Sequence, residues 1–145
     1  MRKVFVILIG VLFLAAVPLC SCQPTEPLYP IQPQVLLLSP AYGSVLASGD
    51  ITIKAYVESV DLVDKVGQEN VPGEGHLIYY LDVMPPVVTS AAAIPGSGQY
   101  ATSSQLSYIW LNVQPGEHIL AVQVVNNDNT PMENYSAVWI TITVK

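Results

Sequence analysis

From Val35 to the end, the chain repeats one pattern: short runs in which apolar and polar residues alternate, separated by clusters of proline, glycine and asparagine. Successive side chains on an extended strand point to opposite faces, so strict alternation describes a strand with one face buried and one wet. In Val138-Trp139-Ile140-Thr141-Ile142-Thr143-Val144, the valines and isoleucines face one way and Trp139, Thr141 and Thr143 the other. Ile51 to Glu58 alternates equally well, burying Ile51, Ile53, Ala55 and Val57. A helix would expose half of these residues. Further strands are predicted over Val35 to Leu38, His76 to Val83, Leu106 to Val113 and His118 to Val125. Turn chemistry bounds each one: Ser39-Pro40-Ala41-Tyr42-Gly43, Pro72-Gly73-Glu74-Gly75, Pro95-Gly96-Ser97-Gly98, Pro115-Gly116 and the Asn126 to Pro131 run. About seven short strands in about 110 residues predict an all-β, antiparallel sandwich rather than a βαβ fold.

The segment ahead of this domain has a different grammar. Met1, Arg2 and Lys3 form a short positive start, and Val4 to Val17 is an apolar run, the layout of a secretory signal-peptide helix. Pro18 and the polar residues after it stop the run well short of the about 20 residues that a spanning helix needs. Leu19-Cys20-Ser21-Cys22 then resembles the bacterial lipobox: an aliphatic residue three places before the cut, a small residue just before it, and a cysteine after it. That resemblance implies cleavage after Ser21, a diacylglycerol on the Cys22 sulfur and a further acyl chain, such as palmitate, on its amine. Several chains together are what stable anchoring requires. An ordinary signal peptide or an uncleaved membrane anchor is the alternative.

Residues 1–21 thus read as a lipoprotein signal peptide, 22–34 as a lipidated cysteine with a tether, and 35–145 as the folded domain. Between Gln23 and Gln34, prolines recur at 24, 27, 30 and 33, the three-residue period of polyproline II. Such a segment has little to bury and acts as a stalk. Loss of the leader leaves Lys54, Lys65 and Lys145 against 11 acidic residues, a net charge of −8. So few cations cannot neutralise a phosphate backbone, which argues against nucleic acid and against electrostatic attraction to anionic lipid. Cys20 and Cys22 are the two cysteines of the chain, so none lies in the domain to form a disulfide framework.

Chemistry-bearing residues are sparse. No Gly-x-Ser-x-Gly elbow, thiol or phosphate-cradling loop occurs in residues 35–145, and the chain is read as no enzyme. His76 and His118 each open a strand. With Met84 or Met132 they form the imidazole and thioether set that copper or zinc would take; otherwise they hydrogen-bond loop backbone at the end of the sandwich. Asp61, Asp64, Glu69 and Glu74 lie in a Val60 to Glu74 loop, without calcium-loop spacing. The Met84 to Ser104 stretch is likewise read as irregular. Adjacent Tyr79 and Tyr80 must point to opposite faces, so one is expected outside. Tyr80 and the outward Trp139 then form a candidate aromatic surface for a protein or glycan partner.

Gly73-Glu74-Gly75-His76-Leu77-Ile78-Tyr79-Tyr80-Leu81-Asp82, with the later Pro115-Gly116-Glu117-His118 and Asn126-to-Met132 segments, resembles a family of uncharacterised secreted prokaryotic lipoproteins. The Pro115 to His118 turn is similar to the entry into the penultimate strand of immunoglobulin-like bacterial modules. The resemblance implies an immunoglobulin-like β-sandwich and no established activity. Where such relatives carry further histidines, this chain has Ile78 and Asn129. The expectation is therefore a lipid-anchored protein on the extracytoplasmic face of the cell membrane, with no cofactor and a binding or cell-envelope structural role. The alternatives are a metal-binding lipoprotein using His76 and His118, and a carbohydrate-binding module.

Overall fold

The computed structural model describes residues 32–132 and 136–145. The expected leader, Cys22 and most of the expected proline-rich tether lie outside the described residues. Nine strands occur in order: β1 (Gln34–Ser39), β2 (Val45–Leu46), β3 (Gly49–Glu58), β4 (Asp61–Leu62), β5 (Glu74–Leu81), β6 (Gln99–Ser103), β7 (Ser107–Val113), β8 (Gly116–Val125) and β9 (Ala137–Val144). The six strands predicted from alternation are all present. Alternation missed β2, β4 and β6. Two of these are only two residues long, and β6 is partly exposed on both faces, so none carries a full period of pattern. The Val60 to Glu74 and Met84 to Ser104 stretches are thus less irregular than expected.

The strands form two sheets, one of order β1-β3-β7 and one of order β2-β9-β8-β5-β4, with β6 also paired to β5. The main neighbours are antiparallel, whereas β2 runs parallel to β9 and β4 parallel to β5. Three strands facing a sheet that adds an outer strand beside β5 is the arrangement of an immunoglobulin-like sandwich. Only Ser104, Gln105 and Leu106 separate β6 from β7, so among the described residues no fourth strand flanks β7.

The core lies between the sheets. Val35, Ile51, Ile53, Ala55, Trp110 and Val113 descend from the smaller sheet to meet Leu77, Tyr79, Leu120, Val122, Ile140 and Ile142 of the larger. With no cysteine in the domain, aromatic contacts hold the centre. Tyr79 stacks on Tyr108 at 5.2 Å between centroids, and Tyr108 meets Trp110 edge-on at 4.9 Å. The Tyr79 hydroxyl donates to the Gln105 carbonyl at 2.7 Å, and burial pushes its pKa up to about 12.

Candidate functional site

The outer face of the larger sheet is the most elaborated part of the molecule. His76, Ile78 and Tyr80 on β5, and Ala121, Gln123 and Val125 on β8, point away from the core, yet all are buried. The segment from Asp82 to Gly98 crosses over them and contributes Val83, Ala93 and Ile94 to a second apolar cluster with Ile78, Tyr80, Ala121 and Val125. Tyr80 is 0% exposed. The expectation of an outward, partner-gripping Tyr80 is therefore corrected. Its ring does take the outer face, but the chain's own loop occupies the place of a partner.

Polar groups fix that cover. The Tyr80 hydroxyl faces two acceptors, the Ala93 carbonyl and Gln123 Oε1, each at 2.8 Å. Gln123 Nε2 donates to the Pro86 carbonyl at 2.9 Å, and Ala93 N–H donates to the Asn129 carbonyl at 2.7 Å. Burial raises the Tyr80 pKa further than that of Tyr79, so the hydroxyl stays protonated. Where backbones approach most closely, glycine is required. A Cβ on Gly75 would stand 2.3 Å from the Val125 carbonyl oxygen and 2.5 Å from Met132 Cε. At Gly98, with φ of +88°, it would stand 2.8 Å from Val83 Cβ.

The two histidines do not converge. In the β5–β8 register His76 lies opposite Val125, and Val125 is seven residues along β8 from His118, which places the imidazoles about 23 Å apart. A shared copper or zinc ion is excluded by that separation, because ligands to one ion must meet within a few ångströms. Each ring instead has its own local work. The wholly buried His76 donates from Nε2 to Asn129 Oδ1 at 3.0 Å, and Asn129 is held with φ of +69° in the turn after β8. Burial lowers the His76 pKa against the opposing pull of Asn129 and Asp64. The His118 ring is held at both nitrogens: Nδ1 lies 2.8 Å from Asp82 Oδ2, and Nε2 lies 2.8 Å from the Gln114 carbonyl. Both neighbours are acceptors, so both nitrogens donate and the imidazolium form is favoured. Burial opposes that charge, but the hydrogen bonds to Asp82 and Gln114 and the carboxylate charge outweigh it and raise the pKa.

The remaining candidates scatter. Glu74 pairs with Lys65 at 2.6 Å, which lowers its pKa, while Asp61, Asp64 and Glu69 are exposed. Among the described residues no group of three or more His, Cys, Asp or Glu side chains is gathered as a metal ion would need. Met84 is exposed on the covering segment, and Met132 packs at Gly75. Trp139 points outward from β9 as expected, 54% exposed. On the same strand face, two residues away, Ala137 borders a cleft of about 200 Å³ lined by Val87, Thr89, Gln123, Pro131, Met132 and Ser136. Sequence reasoning missed Gln123, Ala93 and the Asp82–His118 pair. Each acts across strands or across a loop, and no spacing along the chain marks such a contact.

No family model matches the sequence, and neither does any curated protein. Among solved structures, the chain is similar to an engineered protein at 14% identity and a TM-score of 0.48, over 81% of this chain and 21% of that one. It is also similar to fibronectin(III)-like modules of Clostridium thermocellum CbhA, at 17% identity and a TM-score of 0.48, over 79% of this chain and 47% of that one. A third is the extracellular domain of a B. thetaiotaomicron protein, at 12% identity and a TM-score of 0.41, over 81% of this chain and 16% of that one. The chain thus spans at most 47% of the length of these structures.

Proposed function

We propose that this chain is an extracytoplasmic lipoprotein, held to the membrane by acyl chains on Cys22, whose immunoglobulin-like domain is a non-enzymatic binding or cell-envelope structural module. The observation that carries the reading is Leu19-Cys20-Ser21-Cys22 directly after a basic start and an apolar run. Cleavage after Ser21 leaves Cys22 as the sole thiol of the product, at its amino terminus. The first strand opens at Gln34, and the proline-bearing residues between them are read as a spacer from their sequence. Mass spectrometry of the membrane-extracted protein tests it. A product starting at Cys22 with the added mass of acyl chains is expected, and Cys22→Ala is expected to abolish that mass and release the domain from the membrane fraction. A start at Met1, or a processed terminus without acyl chains, overturns the reading.

Within that role, Trp139, exposed on the outer face of β9, favours a glycan as one class of partner, since a flat exposed indole suits a sugar ring. Trp139→Ala should then abolish retention on a glycan array while leaving the fold intact. Unchanged retention would remove the indole from the binding face.

A further inference from the structure

The outer face of the smaller sheet carries a cluster that the core does not use. Leu36 and Leu38 on β1, Tyr56 on β3, and Ile109 and Leu111 on β7 are each between 44% and 67% exposed. The register places them on one sheet face, in two groups flanking Thr52 and Lys54. Leu36 lies opposite Tyr56, Ile109 lies opposite Thr52, and Lys54 sits between these rungs, opposite Ser39 on one side and Ser107 on the other. Charged neighbours on this face stand at the two ends of β3, Asp50 and Glu58. Asp50 is engaged with the Asn112 N–H at 3.1 Å. Several large apolar side chains gathered on one uncovered sheet face mark a contact site, whereas single exposed apolar residues are ordinary.

We infer that this face rests on the lipid surface to which the chain is tethered, an inference that depends on the lipoprotein reading above. The place where the tether ends selects the lipid as occupant. Residues 22–33 run directly into β1, whose outward residues Leu36 and Leu38 supply two of the five apolar side chains. Fully extended, those twelve residues reach at most about 43 Å, enough slack for the domain to turn this side down while the tether keeps it close to the bilayer. The charge pattern agrees. Lys54, at the centre of the patch, can lay its stem along the apolar surface and extend its ammonium to a headgroup phosphate. A second copy docked about a two-fold axis through the patch would set Lys54 against Lys54, with no carboxylate at the centre to separate them. With a mature charge of −8, attachment rests on apolar contact and works on zwitterionic lipid.

Because the domain contains no cysteine, one introduced thiol can be labelled alone in the mature acylated protein, where the Cys22 sulfur is already substituted. The experiment places a bimane fluorophore at Leu111→Cys or at Thr141→Cys, the latter on the outer face of the other sheet, in phosphatidylcholine vesicles containing brominated phosphatidylcholine. Quenching is expected at position 111 and not at 141, and adding Leu36→Asp and Ile109→Asp to the first variant is expected to abolish it. Equal, weak quenching at both positions on protein shown by mass to be acylated overturns the docking face and leaves the lipoprotein reading standing. A product without acyl chains overturns both. Position 111 unquenched, together with a sedimenting dimer that Ile109→Asp dissolves, assigns the face to a second copy and overturns the inference.

Discussion

The outward side chains of β3 and β5 follow the same two-residue period and meet opposite fates. Thr52, Lys54 and Tyr56 of β3 are exposed, whereas His76, Ile78 and Tyr80 of β5 are wholly buried. The cause lies in the connections between the strands. After β5 the chain spends the residues from Asp82 to Gly98 crossing its own sheet before β6 begins, while β6 reaches β7 through Ser104, Gln105 and Leu106 alone. One sheet therefore acquires a second apolar layer from within the chain, and the other is left bare. A strand face that alternation labels as outside is outside the core, not outside the molecule.

The largest test of that difference is Tyr80→Ala. Removing a buried aromatic ring should cost about 4 kcal/mol in urea unfolding, as a core truncation does; a loss under about 1 kcal/mol would mean that the covering segment is not packed on the sheet. Tyr80→Phe isolates the polar part. It leaves the Ala93 carbonyl and Gln123 Oε1 without their shared donor and should cost about 1 to 2 kcal/mol, with hydrogen exchange accelerated in residues 83–98 and not in β3.

The two histidines extend the comparison along the sheet, since they respond to pH with opposite sign. His76 has a lowered pKa in the fold, so the unfolded chain binds its proton more readily, and its contribution to stability is present above the ordinary histidine value near 6.5 and lost as pH falls below it. His118 has a raised pKa, so its contribution is fully present below about 6.5 and lost as pH rises through the higher folded value. His118→Gln should therefore remove the decline on the alkaline side, an effect of at most about 1 kcal/mol given the partly exposed Asp82 partner. His76→Gln should remove the decline on the acid side. A pH–stability curve that either substitution leaves unchanged would contradict the assignment for that ring.

The smallest expected effect belongs to the bare sheet. Ile109→Ser should change unfolding stability by no more than about 0.5 kcal/mol, because its side chain already meets water. A cost similar to that of Tyr80→Phe would show that the two outer faces are not so different after all.

The sequence alone carried the strands whose one face is buried. Ile51, Ile53 and Ala55, or Ile140 and Ile142, announce themselves because side-chain direction on an extended chain is a local property with period two. It also carried the absence of a thiol from the domain, which needs no folding to be read. What only the tertiary structure decided was which neighbours those directions meet. That Tyr80 lies under Ala93, that His76 turns to Asn129 while His118 turns to Asp82, and that Leu36, Tyr56 and Ile109 share one uncovered face all depend on strand register and on the path of one long connection. Contacts between residues tens of positions apart are set by the packing of whole sheets, and no local spacing encodes them.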